Sequence, residues 1–263
     1  MSEHIQSHIQ RHIADGVLTL TLARADKKNA ITDAMYGALA DALDAAEHDN
    51  TVRVVLLRAE GDMFSAGNDI GEFASVAMAG GGNGGVRNVI RFIHALARAT
   101  RPLVAAVQGR AVGIGTTMLL HCDFVLLAEN AQLSTPFVNL ALVPEAASSL
   151  LMPARLGHVR AFEMFALGDA VSAQSALAWG LANRVVPLDK LGDEAQAIAQ
   201  RLARQPLGAL TETKRLMRDA ELLTQQMDAE SACFAKRLQS PEAHEAFRAF
   251  VDRRPPNFNA VAH

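Results

Sequence analysis

The chain has 263 residues, half of them hydrophobic and a fifth charged, and its 25 basic and 28 acidic side chains give a net charge of −3. This composition excludes a disordered chain, and a pI near 6.3 gives no basic footprint for nucleic acid or an anionic membrane. No apolar run nears the roughly 18 residues of a membrane span, Met1–Arg11 lacks a signal-peptide core, and Cys122 and Cys233 are too few and too far apart for a disulfide framework or a metal site, so the expectation is a soluble cytoplasmic protein.

Leu18, Leu20 and Leu22 alternate with Thr19 and Thr21, the period of a half-buried strand within Gly16–Arg24. Thr32 or Asp33 then caps a predicted helix to about His48, with Met35, Leu39, Leu43 and Ala46 on one face. Val52–Arg58 is a second strand, and its continuous apolar centre points to burial on both faces. Gly80–Gly85 is the only low-complexity stretch and is expected to be a mobile surface loop. A helix follows from Val86 to about Ala99, with Val89, Ile93 and Leu96 inward, and Arg101-Pro102 ends it. Leu103–Gln108 is a third buried strand, Gly109–Gly115 a glycine-containing turn and Thr116–His121 a short helix. Phe124–Ala128 and Ala131–Ser134 are further strands. Beyond Pro153 the pattern is mainly helical: Ser172 caps Ala173–Trp179, Gly180 stops it, and Leu181–Val186 returns as a strand. Residues 189–252 read as successive helices broken near Pro206 and Pro241. Strands alternating with helices, then a helical tail, make an α/β domain with an α-helical appendage.

Three segments carry candidate chemistry: Phe64-Ser65-Ala66-Gly67-Asn68-Asp69-Ile70, Gly109–Gly115, and Thr135-Pro136-Phe137 continuing to Pro144-Glu145-Ala146-Ala147-Ser148-Ser149. In the second, a buried strand ends, glycines turn the chain and a helix begins. Amides at such a start lack intrahelical partners and carry partial positive charge, so they form a site for a developing oxyanion. Glycine turns after strands are common, and the pattern alone leaves an ordinary turn open. Gly113-Ile114-Gly115 lacks the third glycine of a dinucleotide fingerprint and the Lys-Ser/Thr ending of a P-loop. His121-Cys122-Asp123 are adjacent and do not converge as a triad, so packing is expected of them. Glu145 read alone is an acid in a helix's first turn.

Taken together with Ser172-Ala173-Gln174, Trp179-Gly180-Leu181 and Asn183-Arg184-Val185-Val186-Pro187, in order and spacing, these segments resemble the crotonase family, the enoyl-CoA hydratase/isomerase superfamily, over residues 10–255. The resemblance implies a crotonase-like spiral of β-β-α turns over residues 1–190. It implies a helical C-terminal trimerisation region over 191–263 that also covers the active site, and hence a homotrimer or dimer of trimers. It implies an acyl-CoA substrate and no metal or redox cofactor, coenzyme A entering only as part of the substrate. The thioester oxygen is then held between two backbone N–H groups, and matching the motifs places these donors at Asn68 and Ile114, where the family more often has a small residue and a glycine. Substrate contacts fall to Ala25, Lys27, Ala66, Asp69, Ile70, Gly113 and Phe137. Of these, Lys27 is either a contact to the CoA phosphates or a solvated loop lysine, and Asp69 holds the oxyanion loop rather than acting as a base.

The hydratase pattern has two glutamates across the pocket, and the matching positions here are Thr117 and Phe137, neither of them a carboxylate. Thr135-Pro136-Phe137 with Pro144-Glu145 and Ser148-Ser149 instead resembles the Δ3,Δ2-enoyl-CoA isomerase branch. That implies a single acid/base, Glu145, moving a proton between C2 and C4, its pKa raised by apolar neighbours such as Phe137 and Leu142. Two other readings stay open: a hydratase or other crotonase reaction with an atypical acid/base set, and an acyl-CoA binding protein without catalysis. His94 is expected to be structural, because family members with a histidine on this helix carry it at the position of Ile90. Phe247, Phe250 and Arg253-Arg254 fit either a cover over a neighbouring subunit's CoA site or an amphipathic tail.

Overall fold

Residues 8–72 and 87–261 are described by a computed structural model, and the Gly80–Gly85 stretch lies outside them. Asp15 and Gly16 both take positive φ (52° and 79°), the turn that matches the twist of a hairpin. It folds β1 (Ile9–Ala14) antiparallel onto β2 (Val17–Leu22). β1 is not legible in the sequence because only Ile9 is buried along it. β2 runs parallel to β3 (Val54–Ala59), β3 to β4 (Leu103–Val107), β4 to β6 (Phe124–Ala128) and β6 to β9 (Arg184–Val186). The described residues thus form a six-stranded sheet in the order β1-β2-β3-β4-β6-β9. β5 (Arg110–Val112), β7 (Gln132–Ser134) and β8 (Val171–Ser172) make a second sheet of three strands.

The helices lying wholly within the described residues are α1 (Asp33–His48), α2 (Arg87–Arg98), α3 (Ile114–Thr117), α4 (Ser148–Leu156), α5 (His158–Leu167), α6 (Ala173–Ala178), α7 (Leu191–Ala203), α8 (Leu207–Met217), α9 (Ala220–Leu238) and α10 (Pro241–Val251). Caps set several starts: Thr32 Oγ1 accepts from the Met35 amide, Ser172 Oγ from Ser175 and Ser240 Oγ from Ala243. The short helix expected over Thr116–His121 begins earlier, at Ile114, and tightens into a 3₁₀ turn over Met118–His121. The tail breaks at Arg218-Asp219, with Arg218 extended and Asp219 capping α9, a stop that neither proline nor glycine announces.

Strand periodicity divides the main sheet between two cores. Leu18, Leu20, Val55, Leu57 and Ala105 share one core with Leu39 and Leu43 of α1 and Phe92 and Leu96 of α2. Val54, Leu56, Val104, Ala106 and Leu126 form the other with Leu191, Ala195 and Ile198 of α7. The apolar runs of β3 and β4 are therefore buried on both faces, as expected of parallel strands between helical layers. This is the anticipated α/β architecture with a helical C-terminal region. Phe247 of α10 is buried in its own chain's core, whereas Phe250 is exposed. Among the described residues no helix is long and apolar enough to cross a membrane.

Candidate active site

Two loops meet at Ser65. Its amide donates to Arg110 O (3.1 Å) and its carbonyl accepts from the Val112 amide (3.0 Å), which stitches the loop to β5. Its hydroxyl donates to Asn29 O (2.9 Å) and accepts from the Gly67 amide (3.1 Å). The next residues pair with Ile31, whose amide donates to Gly67 O (2.8 Å) and whose carbonyl accepts from Asp69 (3.0 Å). Gly67 stands at φ +88°, and a Cβ there would lie 2.8 Å from Val112 O. Only glycine fits this approach.

On the facing segment, Gly113 (φ +55°) turns β5 into α3 and donates its amide to Ser134 O (2.9 Å). Ile114 opens the helix, so its N–H has no intrahelical partner. Among the described residues the Asn68 and Ile114 amides meet no acceptor, while their neighbours Gly67, Asp69, Gly113 and Thr116 are each bonded. The Ile114 side chain is buried within the core, which accommodates it where the resemblance favours glycine.

Glu145 lies before α4 rather than in its first turn, followed by Ala146 and Ala147 at φ 59° and 54°. Its side chain is buried, with only 8% of the residue exposed, so the carboxyl does not face bulk solvent. The Asn68 side chain lies near enough to that carboxyl to favour its charged form, and Oε1 has no hydrogen-bond partner among the described residues. Burial first, then the negative charge of Glu230, push the Glu145 pKa up to about 8, against the lowering effect of the Asn68 side chain. The Tyr36 hydroxyl donates to Asn68 Oδ1. With the amide oxygen so engaged, the amide nitrogen is the end of the Asn68 side chain left to face Glu145. Burial, then the charges of Glu145, Glu72 and Asp33, hold the Tyr36 hydroxyl well above the usual range, so it stays a neutral donor. Sequence reasoning assigned Asn68 through its main chain alone. Its side chain and Tyr36 are additions from the structure, since Tyr36 reads in sequence as one more core position of α1.

The other candidates fall in different places. Burial would raise the Asp69 carboxyl, but Arg24 (2.7 Å) and the Glu72 and Gly71 amides outweigh it and hold the pKa below the usual value. Asp69 is thus occupied in fixing the loop. Lys27 is exposed at the end of the 3₁₀ turn Ala25–Lys27, and Ala25, Ala66, Ile70 and Gly113 are half-buried. Phe137 is buried, packs on Phe165 at 6.2 Å between ring centres, and reaches within 4.0 Å of where a Cβ on Gly113 would stand. Thr117 Oγ1 and Ser148 Oγ are buried with no partner among the described residues.

His121-Cys122-Asp123 is packing, as expected. His121 Nε2 bonds Ala146 O at 2.7 Å, and burial, then the Arg218 charge, keep the ring neutral. Burial raises the Cys122 thiol to about 12, and Asp123 accepts from the Leu103 amide (2.8 Å) and Lys214 (2.7 Å). His94 pairs with Asp228 at 3.0 Å. Among the described residues no cluster of three His, Cys, Asp or Glu side chains is placed to hold a metal.

Comparison with known proteins matches residues 12–260 to the family described as enoyl-CoA hydratase/isomerase. The chain is 34% identical to 1,2-epoxyphenylacetyl-CoA isomerase of Escherichia coli (strain K12), covering 98% of this chain and 99% of that protein. It is 35% identical to enoyl-CoA delta isomerase 2 of Rattus norvegicus, covering 91% of this chain and 62% of that longer protein. A crystal structure of an enoyl-CoA hydratase/isomerase from Pseudoalteromonas atlantica T6c superposes with a TM-score of 0.90 at 40% identity, covering 95% of this chain and 99% of the other.

Proposed function

The chain belongs to the enoyl-CoA hydratase/isomerase family, and from that premise we propose that it moves the double bond of a 3-enoyl-CoA into conjugation, with Glu145 as the single acid/base. The observation that carries this reading is the buried Glu145 carboxyl itself, its pKa pushed up to about 8 by burial, in a site where Thr117 and Phe137 stand at the positions that the resemblance matches to the hydratase glutamates.

The thioester oxygen accepts hydrogen bonds from the Asn68 and Ile114 amides. The Glu145 carboxylate takes a proton from C2, and the electron pair moves through the C3–C4 double bond and the thioester to leave a dienolate. The same carboxyl then returns the proton to C4, the thioester carbonyl re-forms, and the double bond lies between C2 and C3. One carboxyl suffices because the proton is conserved. Each amide donor in such a site is worth on the order of 3 kcal/mol in the transition state. Asn68 serves both halves of the reaction, its main chain toward oxygen and its side chain toward the base. Phe137, Ile70 and Ala66 line the acyl path, Gly113 sets the turn beneath it, and Ala25 and Lys27 meet the CoA moiety, which is substrate and not a resident cofactor. Exposed Val159 and Phe162 on α5 and Leu216 and Met217 on α8 leave apolar surface that a homotrimer or dimer of trimers would cover.

The test offers the purified protein a 3-enoyl-CoA and a 2-enoyl-CoA separately. The first is converted and the second is not hydrated; hydration at a comparable rate overturns the reading, and tight binding without turnover of either replaces it with a binding protein. Because the ionised carboxyl is the active form, kcat/KM rises about tenfold per pH unit and levels above the Glu145 pKa of about 8. Tyr36→Phe frees the Asn68 amide to rotate away from Glu145. Steady-state kinetics should then show kcat down about tenfold with KM nearly unchanged, and a change confined to KM would count against this role.

A further inference from the structure

The turn that carries Glu145 is held from outside. Ala146 and Ala147 are successive non-glycine residues at φ 59° and 54°, both fully buried. Such a backbone is unfavourable for a residue with a Cβ and persists only where the surroundings fix it. Ala147 occupies the N-cap of α4 and has no side chain to cap with. Glu230 of α9 supplies the missing acceptor: Oε2 accepts from the Ala147 amide (2.6 Å), and Oε1 from the Ser149 amide (2.9 Å) and the Ser149 hydroxyl. Gln226, one turn earlier on α9, donates to Ser149 Oγ at 2.9 Å, and His121 holds Ala146 O from the other side.

Glu230 is itself buried, and no cation pairs with it among the described residues. Acceptance at both oxygens is the pattern of an ionised carboxylate. A neutral acceptor would cap α4 as well; an unneutralised charge has a second effect, on the nearest carboxyl. We propose that Glu230 is a positioning residue for Glu145, which clamps the Ala146-Ala147 turn through α4 and sets an uncompensated negative charge beside the base. This rests on Glu145 being the base of the proposed reaction. The groups facing Glu145 are consistent with it: the neutral Tyr36 hydroxyl from α1, the Asn68 amide from the oxyanion loop, Glu230 from α9, and the neutral His121 ring behind Ala146, with Arg218 on that ring's far side. Among the described residues, Glu230 is the charged group that acts on Glu145, and it raises the carboxyl's pKa.

The experiment compares wild type, Glu230→Gln and Glu230→Asp. In Glu230→Gln the charge is gone, and the acid limb of kcat/KM for a 3-enoyl-CoA moves about one unit to lower pH. Plateau kcat falls roughly tenfold while KM stays within about twofold. Glu230→Asp keeps the charge but withdraws the acceptor, so kcat falls and the limb stays in place; it decides the matter should the Gln variant not fold. An unmoved limb in Glu230→Gln, or wild-type kcat in Glu230→Asp, overturns the proposal. The Glu145 carboxyl is also titrated without substrate, through its C=O stretch in infrared difference spectra against Glu145→Gln, in the wild-type and Glu230→Gln backgrounds. A shifted titration in a protein that does not isomerise 3-enoyl-CoA removes the functional reading and keeps the coupling. Isomerisation with an unshifted titration does the reverse.

Discussion

Glu145→Gln lowers kcat for 3-enoyl-CoA isomerisation on the order of 10³-fold, because the neighbouring Glu230 carboxylate is committed to the Ala147 and Ser149 donors and does not substitute for it. The same change stabilises the protein at alkaline pH. The folded carboxyl titrates near 8 and the unfolded one near its ordinary 4.5. Between those values the folded chain holds a proton that the unfolded chain has released, so stability falls as pH rises through this window and levels above it. Glutamine keeps the volume and carries no charge to desolvate. Denaturant unfolding of both proteins at pH 5 and pH 9 therefore shows the variant gaining on wild type by a few kcal/mol across the window. A stability difference that is flat with pH would mean that Glu145 is not buried in its charged form. A variant retaining more than a tenth of wild-type kcat would mean that another group moves the proton.

This opposition between activity and stability explains which parts of the site the sequence displays. Where burial is the whole logic, the pattern is legible: Val54–Leu57 read as a two-faced strand and became one, with alternate residues in separate cores. Met35, Leu39, Leu43 and Ala46 marked the inner face of α1 because helical spacing and burial agree there. The expectation of main-chain donors at Asn68 and Ile114 came from the family resemblance and not from the local pattern; what the structure adds is that Gly67 and Gly113, just before them, occupy conformations that other residues avoid. The parts that tune Glu145 were hidden for a different reason. Tyr36 looks like core, and Glu230 sits far along the chain among other acidic residues of α9, with nothing local to mark it. Alanine gives no hint of left-handed φ, so the turn at Ala146-Ala147 is visible only once Glu230 and His121 are seen holding it. β1 was hidden because an edge strand with one buried residue has no hydrophobic period to read.

Gly67→Ala tests the other half of the site. The new Cβ would stand 2.8 Å from Val112 O, at a φ of +88° that alanine disfavours. Two relaxations are open, and both reach an oxyanion donor. If the 65–68 loop withdraws, the Asn68 amide moves with it, since Ser65 and Ile31 pin the flanking residues. If Val112 gives way, Gly113 and then the Ile114 amide are displaced. Loss of one well-aimed donor costs about 10²–10³ in kcat, and the strained backbone costs about 1–3 kcal/mol of stability. Gly192→Ala on α7 is the control, since a Cβ there meets nothing within 4 Å and the residue lies in a helix, so kinetics stay at wild type and stability holds or rises. Isomerisation rates and thermal unfolding of the two variants separate the cases. A Gly67→Ala protein with wild-type kcat would show that the Asn68 and Ile114 amides do not hold the developing charge. A folded protein that still binds acyl-CoA but turns over at least a hundredfold more slowly would place the damage at the oxyanion. Where Asn68 moves with the loop its lowering effect on Glu145 weakens, so the Glu145 titration should stay near 8 or rise, and not fall.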